Sequence, residues 1–164
     1  MEKILVNGVD GNFGRLVARE IVKLVPKSRL IFTAPRVDKL ESYADWGVEL
    51  READFNSQAN LTKAFAGAEK VLLISMPFVG EKRRQAHANA VAACVAAGVS
   101  QVVYTSVLSA TNPLNPSVEN IDHAYTEAMI QNTSLDYIFL RNSLFAEAFT
   151  SDYKRAVDAG ETSI

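Results

Sequence analysis

Three glycines at intervals of three, Gly8, Gly11 and Gly14, stand between a short apolar run and a helical pattern in the stretch Val6-Asn7-Gly8-Val9-Asp10-Gly11-Asn12-Phe13-Gly14. Glycines so placed permit a tight turn and let backbone approach an anion, while the unpaired N–H groups at a helix start point at it. The chemistry this suits is the holding of a pyrophosphate by the loop Gly8, Val9, Asp10, Gly11, Asn12 and Phe13. A plain structural turn would use the same residues, and the spacing is G-x-x-G-x-x-G rather than the more familiar G-x-G-x-x-G. Asp10 brings a carboxylate into the loop, where it opposes phosphate unless it turns away, so it is expected to cap the following helix.

The surrounding elements decide between cradle and turn. Lys3 to Asn7 reads as a strand, and Leu16, Val17, Glu20, Ile21 and Leu24 carry helical spacing up to Pro26. The unit repeats: a strand at Leu30–Ala34, a helix at Asp38–Trp46 closed by Gly47, a strand at Val48–Arg51, and a helix capped by Asn56 or Ser57 and ending before Gly67. A fourth strand at Val71–Ser75 precedes a helix from Lys82 to Ala97, and a fifth at Gln101–Thr105 precedes a polar loop holding Asn112, Pro113, Asn115, Pro116 and Ser117. A helix through Ala128, a sixth strand at Asp136–Arg141 and a last helix ending near Ala159 complete the alternation. Short runs such as Val71-Leu72-Leu73-Ile74-Ser75 and Tyr137-Ile138-Phe139-Leu140 suit strands covered on both sides. The expected fold is α/β, a doubly wound, Rossmann-like parallel sheet of six strands with helices on both faces, in a single domain over residues 1–164. The glycine loop then occupies the first βα turn, where such sheets bind ligands, and the cradle is the preferred reading.

The chain has 164 residues, 48% hydrophobic and 22% charged, with 17 basic and 19 acidic side chains. That balance fits one globular core, and without a basic run it argues against nucleic acid as a partner. No apolar stretch reaches the length of a membrane span, and Met1-Glu2-Lys3 leads directly into a strand, so a cytoplasmic protein without a membrane partner is expected. Cys94, the single cysteine, lies among alanines and valines and is expected to pack as a small apolar group. The two histidines and one cysteine are too scattered for a metal-ligand cluster, and no metal is expected.

In a doubly wound sheet the tip of the second strand selects the cofactor, since a carboxylate there takes ribose hydroxyls and an arginine takes a 2′-phosphate. The strand ends Phe32-Thr33-Ala34-Pro35-Arg36 with no carboxylate at its tip, so NADP(H) is preferred over NAD(H), with Arg36 as the phosphate fork. A surface charge paired with Asp38 is the alternative for Arg36. Asp54 and Phe55, after the third strand, are placed to border an adenine, and Asp54 serves equally well as a helix-entry residue.

Several segments carry a resemblance that spans almost the whole chain. They are the glycine loop, "KAFAGAEKVLLIS" at 63–75, "QAHANAVAACVAAGV" at 85–99, "YTS" at 104–106, "HAYTE" at 123–127 and "YIFLRNSLF" at 137–145. The chain resembles the NmrA-like atypical short-chain dehydrogenases/reductases, with quinone- and triphenylmethane-reducing members nearest in pattern. The resemblance implies NADPH lying across the strand tips, Ser75 and Met76 near the nicotinamide ribose, and Thr105 and Ser106 near the nicotinamide or substrate. Two departures stand out: the family's arginine falls at the position of Pro35, one place before Arg36, and threonine is usual where Asp10 stands.

Typical short-chain dehydrogenases use Tyr-x-x-x-Lys to hand a proton to an alkoxide. Tyr43, Tyr104, Tyr125, Tyr137 and Tyr153 are followed four places on by Gly47, Leu108, Met129, Arg141 and Val157, so the dyad is missing. A sugar-nucleotide epimerase is disfavoured for the same reason. Hydride transfer to a quinone or a cationic dye needs no strong donor, because the product is a phenolate or a neutral carbon centre. Phe78 is a candidate to stack on a planar acceptor, His123 and Asn142 are candidate polar contacts, and His87 is expected to be structural. The expected function is an NADPH-dependent reductase of a small quinone-like acceptor; the alternative is a non-catalytic NADP(H)-sensing regulator of the NmrA type. Family members continue into a further strand and a C-terminal region that closes over the substrate. This chain ends at Gly160-Glu161-Thr162-Ser163-Ile164, which reads as the opening of such a strand. A truncated or shortened form without the substrate wall is expected, and a second subunit in a homo-oligomer is one way to supply that wall.

Overall fold

A computed structural model describes residues 2–114, 117–143 and 145–160. Six strands form one parallel sheet: β1 (Lys3–Val6), β2 (Leu30–Ala34), β3 (Glu49–Glu52), β4 (Ala68–Leu73), β5 (Gln101–Val107) and β6 (Asp136–Asn142). Their order is β3-β2-β1-β4-β5-β6, so the chain reverses direction across the sheet between β1 and β4. The helices are α1 (Asn12–Leu24), α2 (Gln58–Phe65), α3 (Glu81–Ala96), α4 (Val118–Gln131) and α5 (Ala146–Asp158). The expected doubly wound architecture is therefore the observed one.

Alternation along the central strands builds two cores. Leu5, Ile31 and Val71 point to one face, where they pack with Leu61 and Phe65 of α2 and Ala90 and Cys94 of α3. Their neighbours Val6, Phe32 and Leu72 point to the other, against Ala18 and Ile21 of α1 and Tyr43. All five residues of β2 are buried, as a strand with helices over both faces requires. Cys94 is fully buried, and burial pushes its thiol up to about 12.

Some element boundaries differ from the sequence expectation. The segment Val37–Trp46 is a 3-10 helix, not an α-helix. Leu40, Tyr43 and Trp46 recur every third residue, which aligns them on one face of a three-residue turn and packs them together against β2. β4 begins and ends earlier than expected; it ends at Leu73 because the backbone of Ile74 and Ser75 bonds to the side chains of Asn7 and Thr105 instead of to neighbouring strands. Ser57, not Asn56, caps α2, accepting from the Asn60 amide at 3.2 Å. Asn115 and Pro116 of the polar loop and the strand opening expected at 161–164 lie outside the described residues.

Candidate functional site

The carboxyl ends of the strands open into a cleft enclosing about 1020 Å³. It runs across the reversal point, bounded by the glycine loop and the tips of β2 and β3 on one side and by β4, β5 and the starts of α3 and α4 on the other. Of the residues singled out from sequence, Gly8, Asp10, Gly11, Asn12, Phe13, Asp54, Phe55, Ser75, Met76, Phe78, Thr105, Ser106, His123 and Asn142 all line it. Residues as far apart in the chain as Gly8 and Asn142 are thus brought to one surface.

The loop is a tight turn that leaves backbone donors open to the cleft. Gly8 has φ +64°, which a side chain rarely tolerates, and a Cβ there would enter open space. Gly11 N donates to Gly8 O at 3.0 Å, closing the turn, and a Cβ on Gly14 would collide with the Gly8 carbonyl. No acceptor among the described residues takes the amide hydrogens of Asn12, Phe13 and Gly14, which are the first three of α1. These three donors, beside a surface that only hydrogen-bearing Cα atoms leave accessible, fit the pyrophosphate of a dinucleotide. Val9 holds the loop instead of facing the cleft: its N–H donates to Thr33 O at 3.2 Å and its carbonyl accepts from the Tyr43 hydroxyl at 2.6 Å. Asp10 does not cap α1. Gly11 is the N-cap, with no side-chain cap hydrogen bond, because the turn from Gly8 to Gly11 carries Asp10 one place too early; its carbonyl instead accepts from Arg15 Nη2 at 2.7 Å.

At the β2 tip, Arg36 forms a two-point ion pair with Asp38, Nε to Oδ1 at 3.0 Å and Nη2 to Oδ2 at 2.8 Å. Both are exposed and Arg36 does not line the cleft. A second, smaller hollow beside Val9 and Asp10 is bordered by Arg15, Arg19 and Lys39. Asp54 uses its Oδ1 to accept from the amide and side chain of Asn56, at 2.9 and 2.8 Å, so it shapes the entry to α2 as well as the cleft wall. Phe55 is buried in the core beneath it.

Across the reversal point the polar groups are largely committed to each other. Thr105 Oγ1 accepts from Ser75 N at 2.9 Å, and Ser106 Oγ donates to Glu127 Oε1 at 2.6 Å. Arg141 grips the same carboxylate through Nε and Nη2 at 3.0 and 2.6 Å. Burial pushes Glu127 up, and the hydrogen bonds from Arg141 and Ser106 outweigh it and hold the carboxyl below its usual range. Met76 N–H donates to His87 Nε2 at 3.1 Å, which leaves the ring hydrogen on Nδ1, 2.9 Å from Thr126 Oγ1. His87 is therefore structural, and burial, reinforced by the charge of Arg83, pushes it down to about 3. His123 lies with Nδ1 2.7 Å from the Tyr104 hydroxyl; burial, then Arg83, lowers it to about 4. Both imidazoles are neutral near pH 7. Phe78 carries the Lys82 ammonium 4.6 Å from its ring centroid, and Phe13 stacks on Phe145 with centroids 5.6 Å apart.

Asn7, Thr33, Lys82, Arg83 and Phe145 also line the cleft and were not singled out from sequence. A polar residue ending an apolar strand was the available signal for Asn7. Nothing in the sequence marks Arg83, whose place in a polar first helical turn reads as solvated surface.

Comparison with known proteins places this geometry. The model of a family described as NAD(P)H-binding matches residues 8–163. Quinone oxidoreductase 2 of Escherichia coli (strain K12) is 35% identical over 158 residues, 96% of this chain and 54% of the relative. An NmrA-like family domain-containing oxidoreductase of Aspergillus flavus is 26% identical over 90% of this chain and 49% of its own length. The solved structure of Citrobacter sp. triphenylmethane reductase complexed with NADP(H) superposes with a TM-score of 0.87 at 35% identity, covering 96% of this chain and 55% of that one. The chain spans about half the length of the curated relatives it matches.

Proposed function

The chain belongs to the NAD(P)H-binding family, and from that premise we propose that it is the dinucleotide-binding part of an NADPH-dependent reductase acting on a quinone or similar electron-poor acceptor. The observation that carries the reading is the row of unclaimed amides at Asn12, Phe13 and Gly14, opening with Gly8 into a cleft that continues to Thr105 and Ser106. Bound NADPH supplies hydride; the quinone that receives it becomes a hydroquinone monoanion, which takes a proton from water. The chain's own residues orient and enclose. The glycine loop fixes the phosphates, Asp54 and Phe55 border the adenine, and Ser75, Met76, Thr105 and Ser106 form the floor on which the reacting ring lies. Proximity and orientation are the main catalytic contributions, consistent with the missing Tyr-x-x-x-Lys dyad.

The preference for NADP(H) rests on Arg36 at the β2 tip and on Arg15, Arg19 and Lys39 beside the loop, a concentration of cations suited to a phosphate dianion. The complexes of relatives with NADP(H) and NADPH agree with it. The NADP(H)-sensing regulatory reading is favoured by one observation: Thr105 and Ser106 are each engaged in an internal hydrogen bond, Thr105 Oγ1 as acceptor from Ser75 N and Ser106 Oγ as donor to Glu127. Steady oxidation of NADPH with a panel of quinones separates the two. Turnover supports the reductase, and tight NADPH binding without turnover of any acceptor supports the regulator.

A further inference from the structure

Arg83 is a buried cation without a counter-ion among the described residues. It is 6% exposed and lines the cleft, in the first turn of α3. Its Nε donates to the Phe78 carbonyl, and its Nη1 is buried with no hydrogen-bond partner. The two buried carboxylates nearby are taken by other arginines: Asp122 by Arg84 at 2.8 Å and Glu127 by Arg141 at 2.6 Å. Asp122 is further occupied by Gly80 N at 2.5 Å. Arg83 and His123 line the same cleft, and the positive charge of Arg83 adds to burial in lowering both His87 and His123.

Arginine is almost never this buried unless paired, and an uncompensated buried charge is destabilising. A buried charge of this kind in a cleft wall is the sort of local violation that functional sites retain. The pyrophosphate is served by the amides of the first βα turn, whereas Arg83 follows β4, in the half of the sheet that takes the reacting end of a dinucleotide.

We propose that Arg83 is a catalytic residue that binds the oxygen on which negative charge develops during hydride transfer. The acceptor class is accordingly a neutral quinone or related conjugated carbonyl compound, not a cationic dye. This rests on the reductase reading and narrows it. A neutral quinone gains an oxyanion as hydride adds to it, and the waiting guanidinium stabilises that charge in a site of low dielectric. A cationic triphenylmethane acceptor loses its charge in the same step, so Arg83 repels its ground state and has nothing to stabilise in the product.

Arg83→Met and Arg83→Lys test this in the 164-residue chain, with NADPH titration confirming that each variant keeps its cofactor site. Quinone turnover is expected to fall about 100-fold in kcat in Arg83→Met, as for loss of one oxyanion donor, with Arg83→Lys recovering part of it and NADPH affinity unchanged. Reduction of a cationic triphenylmethane dye is expected to be slow in the parent chain and no slower in Arg83→Met. A readout independent of turnover is the binding of 4-nitrophenolate against neutral 4-nitroanisole. The phenolate is expected to bind the NADP⁺-loaded chain in preference to the ether, and to lose about tenfold in affinity in Arg83→Met. Quinone kcat and phenolate affinity both within twofold of the parent in Arg83→Met would overturn the proposal while leaving the reductase reading standing. If the chain binds NADPH and reduces no quinone, the reductase reading falls, and the phenolate titration decides the arginine by itself: Arg83-dependent binding supports the anion site and Arg83-independent binding overturns it.

Discussion

The side chain of Asn7 pairs with the backbone of Ile74 as a strand would: Oδ1 accepts from Ile74 N at 2.5 Å and Nδ2 donates to Ile74 O at 3.3 Å. Asn7 is fully buried, at the end of β1, where the chain reverses direction across the sheet. Its amide group thus extends the β1–β4 ladder one step beyond the strands and fixes the width of the crevice between them. Asn7→Ala removes both contacts and leaves two backbone groups unpaired, at about 1–3 kcal/mol. Urea unfolding should show that loss at unchanged m, and Asn7→Asp, which sets oxygen against the Ile74 carbonyl, should not restore it.

The two glycines flanking the loop should separate binding from folding. Gly14→Ala drives a methyl into the Gly8 carbonyl, so both stability and nucleotide affinity are expected to fall. Gly8→Ala faces open space but forces alanine to φ +64°, at about 1–2 kcal/mol, and sets its methyl where a phosphate would approach. A modest drop in thermal midpoint with at least about a tenfold loss in NADPH affinity is the expected pattern.

Arg36 and Asp38 give opposite signs. If Arg36 takes the 2′-phosphate, Arg36→Ala lowers the NADPH affinity relative to NADH, whereas Asp38→Ala releases the guanidinium from its present partner and raises it. Fluorescence titration with both nucleotides measures the ratio. An unchanged ratio in both variants assigns Arg36 to the surface pair alone.

Stability should fall on mild acidification. His87 and His123 have folded values of about 3 and about 4, below the ordinary 6.5, so the unfolded chain binds protons that the folded chain refuses. Their contribution is complete above pH 6.5 and is lost as pH falls toward the folded values, at up to about 1.4 kcal/mol per pH unit for each ring. Unfolding midpoints at pH 7.5 and 5.0 check this. His87→Asn should be less stable at pH 7.5, where Met76 N loses its acceptor, and its stability should depend less on pH.

What was legible in the sequence was the part written in local chemistry. The glycine loop could be read because positive φ and close approach select one residue type, and the central strands because burial leaves short apolar runs; β3 and the apolar run of β6 are largely exposed at the two sheet edges, so those strands were legible from the βα alternation and not from burial on both faces. The Val37–Trp46 segment misled, since Leu40, Tyr43 and Trp46 fit a three-residue period over too short a span to exclude an α-helix. Asp10 misled because its failure to cap depends on where the Gly8–Gly11 turn closes. The partners of Ser106 and Thr105 lie 21 and 30 residues away in the chain, and the solitude of Arg83 is a consequence of where Arg84 and Arg141 spend the available carboxylates. Neither has a local signature.

The first amides of α1 are expected to grip a dinucleotide diphosphate. The most direct measurement is titration of the isotopically labelled chain with NADPH, followed by the backbone amide resonances. Saturable one-to-one binding that shifts Asn12, Phe13 and Gly14 most strongly, and that Gly8→Ala weakens, is the predicted result. Binding that leaves those three resonances still while others move, or no binding at all, would contradict it.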